Sequence, residues 1–154
     1  AYFLVKRFLD NDQKRREHEL KKTTLGTITP LKIQAFERIV IYLERINPNS
    51  LVIRVNKNGM SARQLHMELV NAIKTEYEHN LSQQIYLTAG AWELVKTSKE
   101  EIIQLVNISS SKVPADANSS ELAMMILNIT ANLGKKLPND VAIDYLKKEI
   151  AQIF

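Results

Sequence analysis

ITPLKIQAFERIVIYLERINP, residues 28–48, decides the fold. Ile33, Phe36, Ile39, Val40, Leu43 and Ile46 recur at spacings of three and four, so one apolar stripe runs down a single helix face while Glu37, Arg38, Glu44 and Arg45 face away. Thr29–Pro30 reads as a start, a hydroxyl cap followed by a proline at the first helical position, where its missing N–H costs nothing. Asn47–Pro48 reads as the stop. A helix over 30–46 is therefore expected, with its stripe seeking a core.

Downstream the same reasoning yields more helices. Ser61 with Gln64 forms a capping box after the Asn58–Gly59 turn, opening a helix that carries Leu65, Leu69, Val70, Ile73 and Tyr77 along one side and extends toward Ile85. Thr88 caps the next, with Trp92, Val95, Ile102, Ile103 and Val106 as its stripe. Residues 109–120 read as a loop. Asn118 and Glu121 then start a helix ending before Gly134, with Met124 and Met125 as core filler. Pro138 and Asn139 begin a last helix presenting Val141, Ala142, Tyr145, Leu146, Ile150 and Ile153. The β-branched run LVIRV, residues 51–55, has no second strand to pair with. It is expected as a buried connector, a helical turn rather than extended chain.

The fold class expected is all-α, a compact bundle of about five helices preceded by an N-terminal membrane-anchor and connector helix. Four glycines and four prolines in 154 residues leave few breaks, which agrees with helices on short loops. One domain accounts for the length, and a hydrophobic share of 45% with 25% charge excludes the composition of a disordered chain. The absence of cysteine excludes disulfides, thiolate nucleophiles and cysteine-based metal sites.

The net charge of +4 sits at the front. Residues 1–22 hold seven basic side chains (Lys6, Arg7, Lys14, Arg15, Arg16, Lys21, Lys22) against four acidic ones (Asp10, Asp12, Glu17, Glu19), leaving the body close to neutral. The first nine residues, AYFLVKRFL, read as the C-terminal end of a transmembrane helix that continues upstream, with Tyr2, Phe3, Leu4, Val5, Phe8 and Leu9 as its anchor. A soluble amphipathic helix is the alternative. Residues 10–28 follow as a charged connector without an apolar stripe, supported by Asp12–Arg16 and Arg15–Glu19 at i,i+4. Lys6, Arg7, Lys14, Arg15 and Arg16 are placed to contact anionic lipid head groups. The positive-inside rule then puts the helical domain, 29–154, in the cytoplasm of a single-pass inner-membrane protein.

Little in the chain carries chemistry. Glu76–Tyr77–Glu78–His79 holds the Glu-x-x-His spacing of di-iron bundles, but a site of that kind needs a second such pair and two further glutamates. No phosphate-binding, nucleophile-elbow or zincin motif occurs, so neither cofactor nor metal is expected. Tyr77, Tyr86 and Trp92 cluster about a helix–helix turn and either close a core or, with Glu76 and His79, form a partner surface.

The runs QAFERIVIYLERINPNSLVIRV (34–55) and ELVNAIKTEYEHNLSQQIYLTAGAWELVKTSKEEIIQLVN (68–107) resemble an uncharacterised family of small single-pass membrane proteins from Bacteroidota-type bacteria, with EYEHNLSQQIY (76–86) as its signature. The resemblance implies an anchor, a charged connector and a helical domain, and no activity. Three functions are carried forward. The first is a non-enzymatic, membrane-tethered interaction or assembly domain, an accessory subunit of a membrane-associated complex with a protein partner. The others are a basic nucleic-acid-binding protein using residues 6–22 and a metal-dependent helical-bundle enzyme using Glu76 and His79.

Overall fold

The computed structural model describes residues 1–153, with the side chains of Lys21, Thr23, Thr24, Leu25 and Thr27 left aside; the share of Lys21 in the basic run and the final Phe154 lie outside the described residues. The elements are α1 (Tyr2–Arg45), α2 (Pro48–Val55), α3 (Ala62–His79), a 3₁₀ turn (Leu81–Tyr86), α4 (Ala89–Ser111), α5 (Ser119–Ala131) and α6 (Pro138–Ala151). Among the described residues there is no strand, only an isolated bridge between Ser61 and Asn118. The all-helical bundle expected from periodicity is the fold observed. Two compact units divide the chain, residues 1–34 and 35–154.

The core belongs to the second unit. Phe36, Ile39, Tyr42, Leu43 and Ile46 are at most 2% exposed, and they meet Leu65, Leu69 and Ile73 of α3, Val95, Ile102 and Val106 of α4, Leu122 and Ile126 of α5 and Ile143 and Leu146 of α6. A helix end buried this deeply must satisfy its last carbonyls. The Leu43 carbonyl accepts from Asn139 Nδ2 at 3.2 Å, and Asn139 is itself fully buried in the first turn of α6.

Two capping boxes hold the middle of the chain. Ser61 and Gln64 cap α3, Asn118 and Glu121 cap α5, as their spacing predicts. Backbone bonds join the two caps: Ala62 N donates to the Ala117 carbonyl and Ser119 N to the Met60 carbonyl, each at 3.0 Å. Thr88 caps α4 through its hydroxyl oxygen, which accepts from Ala91 N at 3.2 Å, while the hydroxyl proton is donated to Glu149 of α6. Gly59 and Gly134 adopt φ of +86° and +66°, the left-handed conformations their turns require.

Several expectations are corrected. The start at Thr29–Pro30 lies inside α1, which runs unbroken from Tyr2, so the charged connector 10–28 is helical and Pro30 is an interior proline. A proline there removes one bond, to the Gly26 carbonyl four residues earlier, while the rest of the helical ladder is retained. LVIRV is helical, as expected, within a helix that starts earlier: Asn47 caps α2, its side chain accepting from Asn49 N at 3.0 Å, and Pro48 stands at the first position. α3 ends at His79, short of Ile85. On α6 Ala142 and Leu146 are buried as expected and are joined by Asn139 and Ile143, whereas Val141 and Tyr145 of the expected stripe are 42% and 41% exposed. Met124 is exposed rather than core filler.

The largest correction concerns the membrane. No helix among the described residues is long and apolar enough to cross one, which overturns the single-pass inner-membrane placement.

Leu69→Ala is expected to lower unfolding free energy by about 2–5 kcal/mol through the cavity it leaves. Asn139→Ala should cost about 1–3 kcal/mol, because the Leu43 carbonyl stays buried without a donor. Val141→Ala, on the exposed side of α6, should stay within about 0.5 kcal/mol. Urea unfolding of the three variants checks the order.

Candidate functional site

Three helices each carry a basic residue in their own last turn. Arg45 stands in the last turn of α1 and Arg54 in that of α2, where a positive side chain answers the partial negative charge of free carbonyls, and His79 stands in the last turn of α3. Two of them converge on Glu76. Its carboxylate accepts from Arg45 Nε at 3.0 and 2.9 Å and Nη2 at 2.6 Å, a fork-shaped pairing, and from Arg54 Nη2 at 3.3 Å. Asn80, the C-cap of α3, donates from Nδ2 to the Glu76 carbonyl at 2.7 Å and so closes the same helix end. The guanidinium of Arg45 is held above its ordinary range, first by its hydrogen bonds to Glu76.

Beside this cluster lies an aromatic stack. Tyr77 and Trp92 face each other at 5.5 Å with planes 23° apart, Tyr42 meets Tyr77 at 6.2 Å, and Lys99 Nζ lies 4.1 Å from the Tyr77 ring centre. Tyr42 is buried and donates to the Ile73 carbonyl at 3.3 Å. Burial above all, then the charge of Glu76, raises its phenol well beyond the ordinary tyrosine value. Tyr77 is raised for the same first reason, with Glu100 and Glu93 adding to it. Tyr86 closes the 3₁₀ turn, half-buried.

Of the residues singled out in 76–86, Glu76 and His79 line one cleft, together with Arg38, Ile41, Tyr42, Arg45 and Asn80, with a volume of about 530 Å³. Tyr77 and Trp92 pack inward as the stack. The Glu-x-x-His spacing does not assemble further: the Glu76 carboxylate is taken by two guanidiniums, and among the described residues no three His, Asp or Glu side chains are grouped to hold a metal. The Arg45–Glu76 pair, 31 residues apart, was missed in the sequence. A last-turn arginine on each of two helices is the one local signal that bears on it.

In the first unit, Tyr2, Phe3, Leu4, Val5, Phe8 and Leu9 are 59–82% exposed. Arg15–Glu19 and Arg16–Asp12 form the expected i,i+4 pairs, at 3.5 and 3.2 Å. Both pairs are exposed, so each contributes only a few tenths of a kcal/mol. They also return two of the cations in 6–22 to local acids, which removes charge from any contact with nucleic acid.

Residues 1–153 match the sequence profile of a family described only as being of unknown function (DUF7935). No curated protein and no solved structure matches the chain.

Two outcomes test this geometry. In a double-mutant cycle, Arg45→Met with Glu76→Gln should show a coupling of about 1 kcal/mol, reduced from that of a buried charge-assisted bond by partial exposure and weakened further by salt. On raising pH, the buried Tyr42 phenol should stay protonated beyond the ordinary tyrosine range. Its folded-state value lies above the unfolded one near 10, so its contribution is complete below about pH 10 and is lost as pH climbs beyond, where only the unfolded chain ionises. Absorbance at the phenolate band, in wild type and Tyr42→Phe, should therefore coincide until the protein unfolds.

Proposed function

The chain belongs to the family of unknown function DUF7935, and on that premise we propose that it is a non-enzymatic interaction or assembly domain, an accessory subunit of a larger complex. The observation that carries this reading is the concentration of bare apolar side chains at Tyr2, Phe3, Leu4, Val5, Phe8 and Leu9. Leu4 with Phe8, and Val5 with Leu9, stand four apart, while Tyr2 precedes Val5 by three, so five of the six share one side of the helix. Six large residues at this exposure go beyond the scattered apolar side chains of an ordinary surface, and a contiguous patch of more than roughly a few hundred Å² marks a contact surface. Lys6 and Arg7 border it, as a polar rim does.

The body supplies the second half of the reading. Its best-organised polar cluster spends its carboxylate on two arginines, an arrangement that holds helix ends together. The origin in Bacteroidota-type bacteria is part of the same proposal and rests on the resemblance of 34–55 and 68–107.

Photo-crosslinking amino acids placed at Phe3 and at Phe8 of the full chain in its native cells should each give one defined protein adduct, identified by mass spectrometry. Phe3→Ser with Phe8→Ser should abolish co-purification of the same protein. Diffuse adducts at both positions, with co-purification unchanged in the double variant, would sink the reading.

A further inference from the structure

The cleft between the last turns of α1 and the end of α3 carries more positive charge than its own acid answers. Arg38, Ile41, Tyr42 and Arg45 form one wall at spacings of three and four, and Glu76, His79 and Asn80 the other. Among the described residues Glu76 is the one carboxylate lining it, and two guanidiniums already share that carboxylate. Arg38 and Arg45 thus line the cleft against one acid, which Arg54 of α2 also engages.

Helix ends account for part of this excess. The free carbonyls of α1 and α2 amount to roughly half a negative charge at each terminus, an effect confined to the last turn. Arg45 and Arg54 occupy those turns. Arg38 sits seven residues before Arg45, two turns away from the carbonyls, and among the described residues it has neither ion pair nor hydrogen bond. Arg45 binds Glu76 through Nε and Nη2, so its Nη1 is a second donor not spent on that pair. Between the two arginines Ile41 is 58% exposed. A free inorganic anion would leave it bare, whereas an acidic side chain on a protein segment brings carbon to cover it.

We propose that this cleft docks an acidic segment of a partner protein, a carboxylate seating on Arg38 and the free edge of Arg45 while neighbouring apolar atoms cover Ile41. The inference rests on the interaction reading above and assigns it a second surface, in the body of the domain. Arginine suits this role because its planar fork matches a carboxylate with two parallel bonds.

The probe is a labelled acetylated peptide of alternating glutamate and leucine, titrated with the full chain at about 50 mM salt and followed by fluorescence anisotropy. Binding should weaken as salt rises. Arg38→Glu should weaken it at least about tenfold with an unchanged melting profile, since the side chain is exposed. Arg63→Glu, an equal charge change on the exposed start of α3, should leave it within about twofold. Equal affinity in wild type and Arg38→Glu would overturn the proposal, as would displacement of the peptide by an equimolar amount of inorganic phosphate, which would mark a free-anion site. Either result leaves the crosslinks at Phe3 and Phe8 untouched, so this inference and the interaction reading fail separately.

Discussion

Everything in the body is arranged around the need to dry one side of the last three turns of α1. Phe36, Ile39, Tyr42, Leu43 and Ile46 are almost wholly removed from water, and each fully buried side chain of this size contributes about 1.5–3 kcal/mol of transfer free energy. No single neighbour is wide enough to cover them. Residues of α3, α4, α5 and α6 join them in one core.

Burying a helix end raises a second demand, because its final carbonyls have no partner within the helix. The chain meets it with side chains from distant positions. Asn139 reaches the Leu43 carbonyl across 96 residues of sequence, and the C-terminal turns of α1 and α2 bring Arg45 and Arg54 to Glu76. The same crowding stacks Tyr42, Tyr77 and Trp92 and keeps the Tyr42 phenol protonated. Polar and aromatic clusters that suggest chemistry when met in sequence are here the fastening of the bundle. The surfaces left unfastened, the apolar residues at Tyr2–Leu9 and the cleft at Arg38, are the ones that carry functional weight.

Local chemistry made much of this legible. Ser61 with Gln64, Thr88, and Asn118 with Glu121 start helices where their spacing says, because a cap is satisfied by atoms three residues away and owes nothing to the rest of the fold. The stripe of 33–46 was readable for the same reason. Less legible were Pro30, which signals a helix start and proves interior, and the α6 face, where Val141 and Tyr145 look as apolar as Ile143 yet stay at the surface. A helix with apolar residues on several sides can rotate by one position, and only its neighbours choose between the settings. The single-pass membrane placement read from the apolar start went beyond the described helices, none of which is long and apolar enough to cross a bilayer.

By itself, then, the sequence determined the helical class, the caps, the turns at Gly59 and Gly134 and the placement of excess charge at the front, all properties set within a few residues by hydrogen bonding, φ preference and side-chain spacing. Tertiary structure alone decided that Glu76 belongs to Arg45 and Arg54 rather than to a metal, that Asn139 caps Leu43, and that Arg38 is left facing a cleft with no acid of its own. Those are pairings over tens of residues. They are fixed by which helix ends are forced together when a shared apolar face is buried, a quantity no local window of the chain contains.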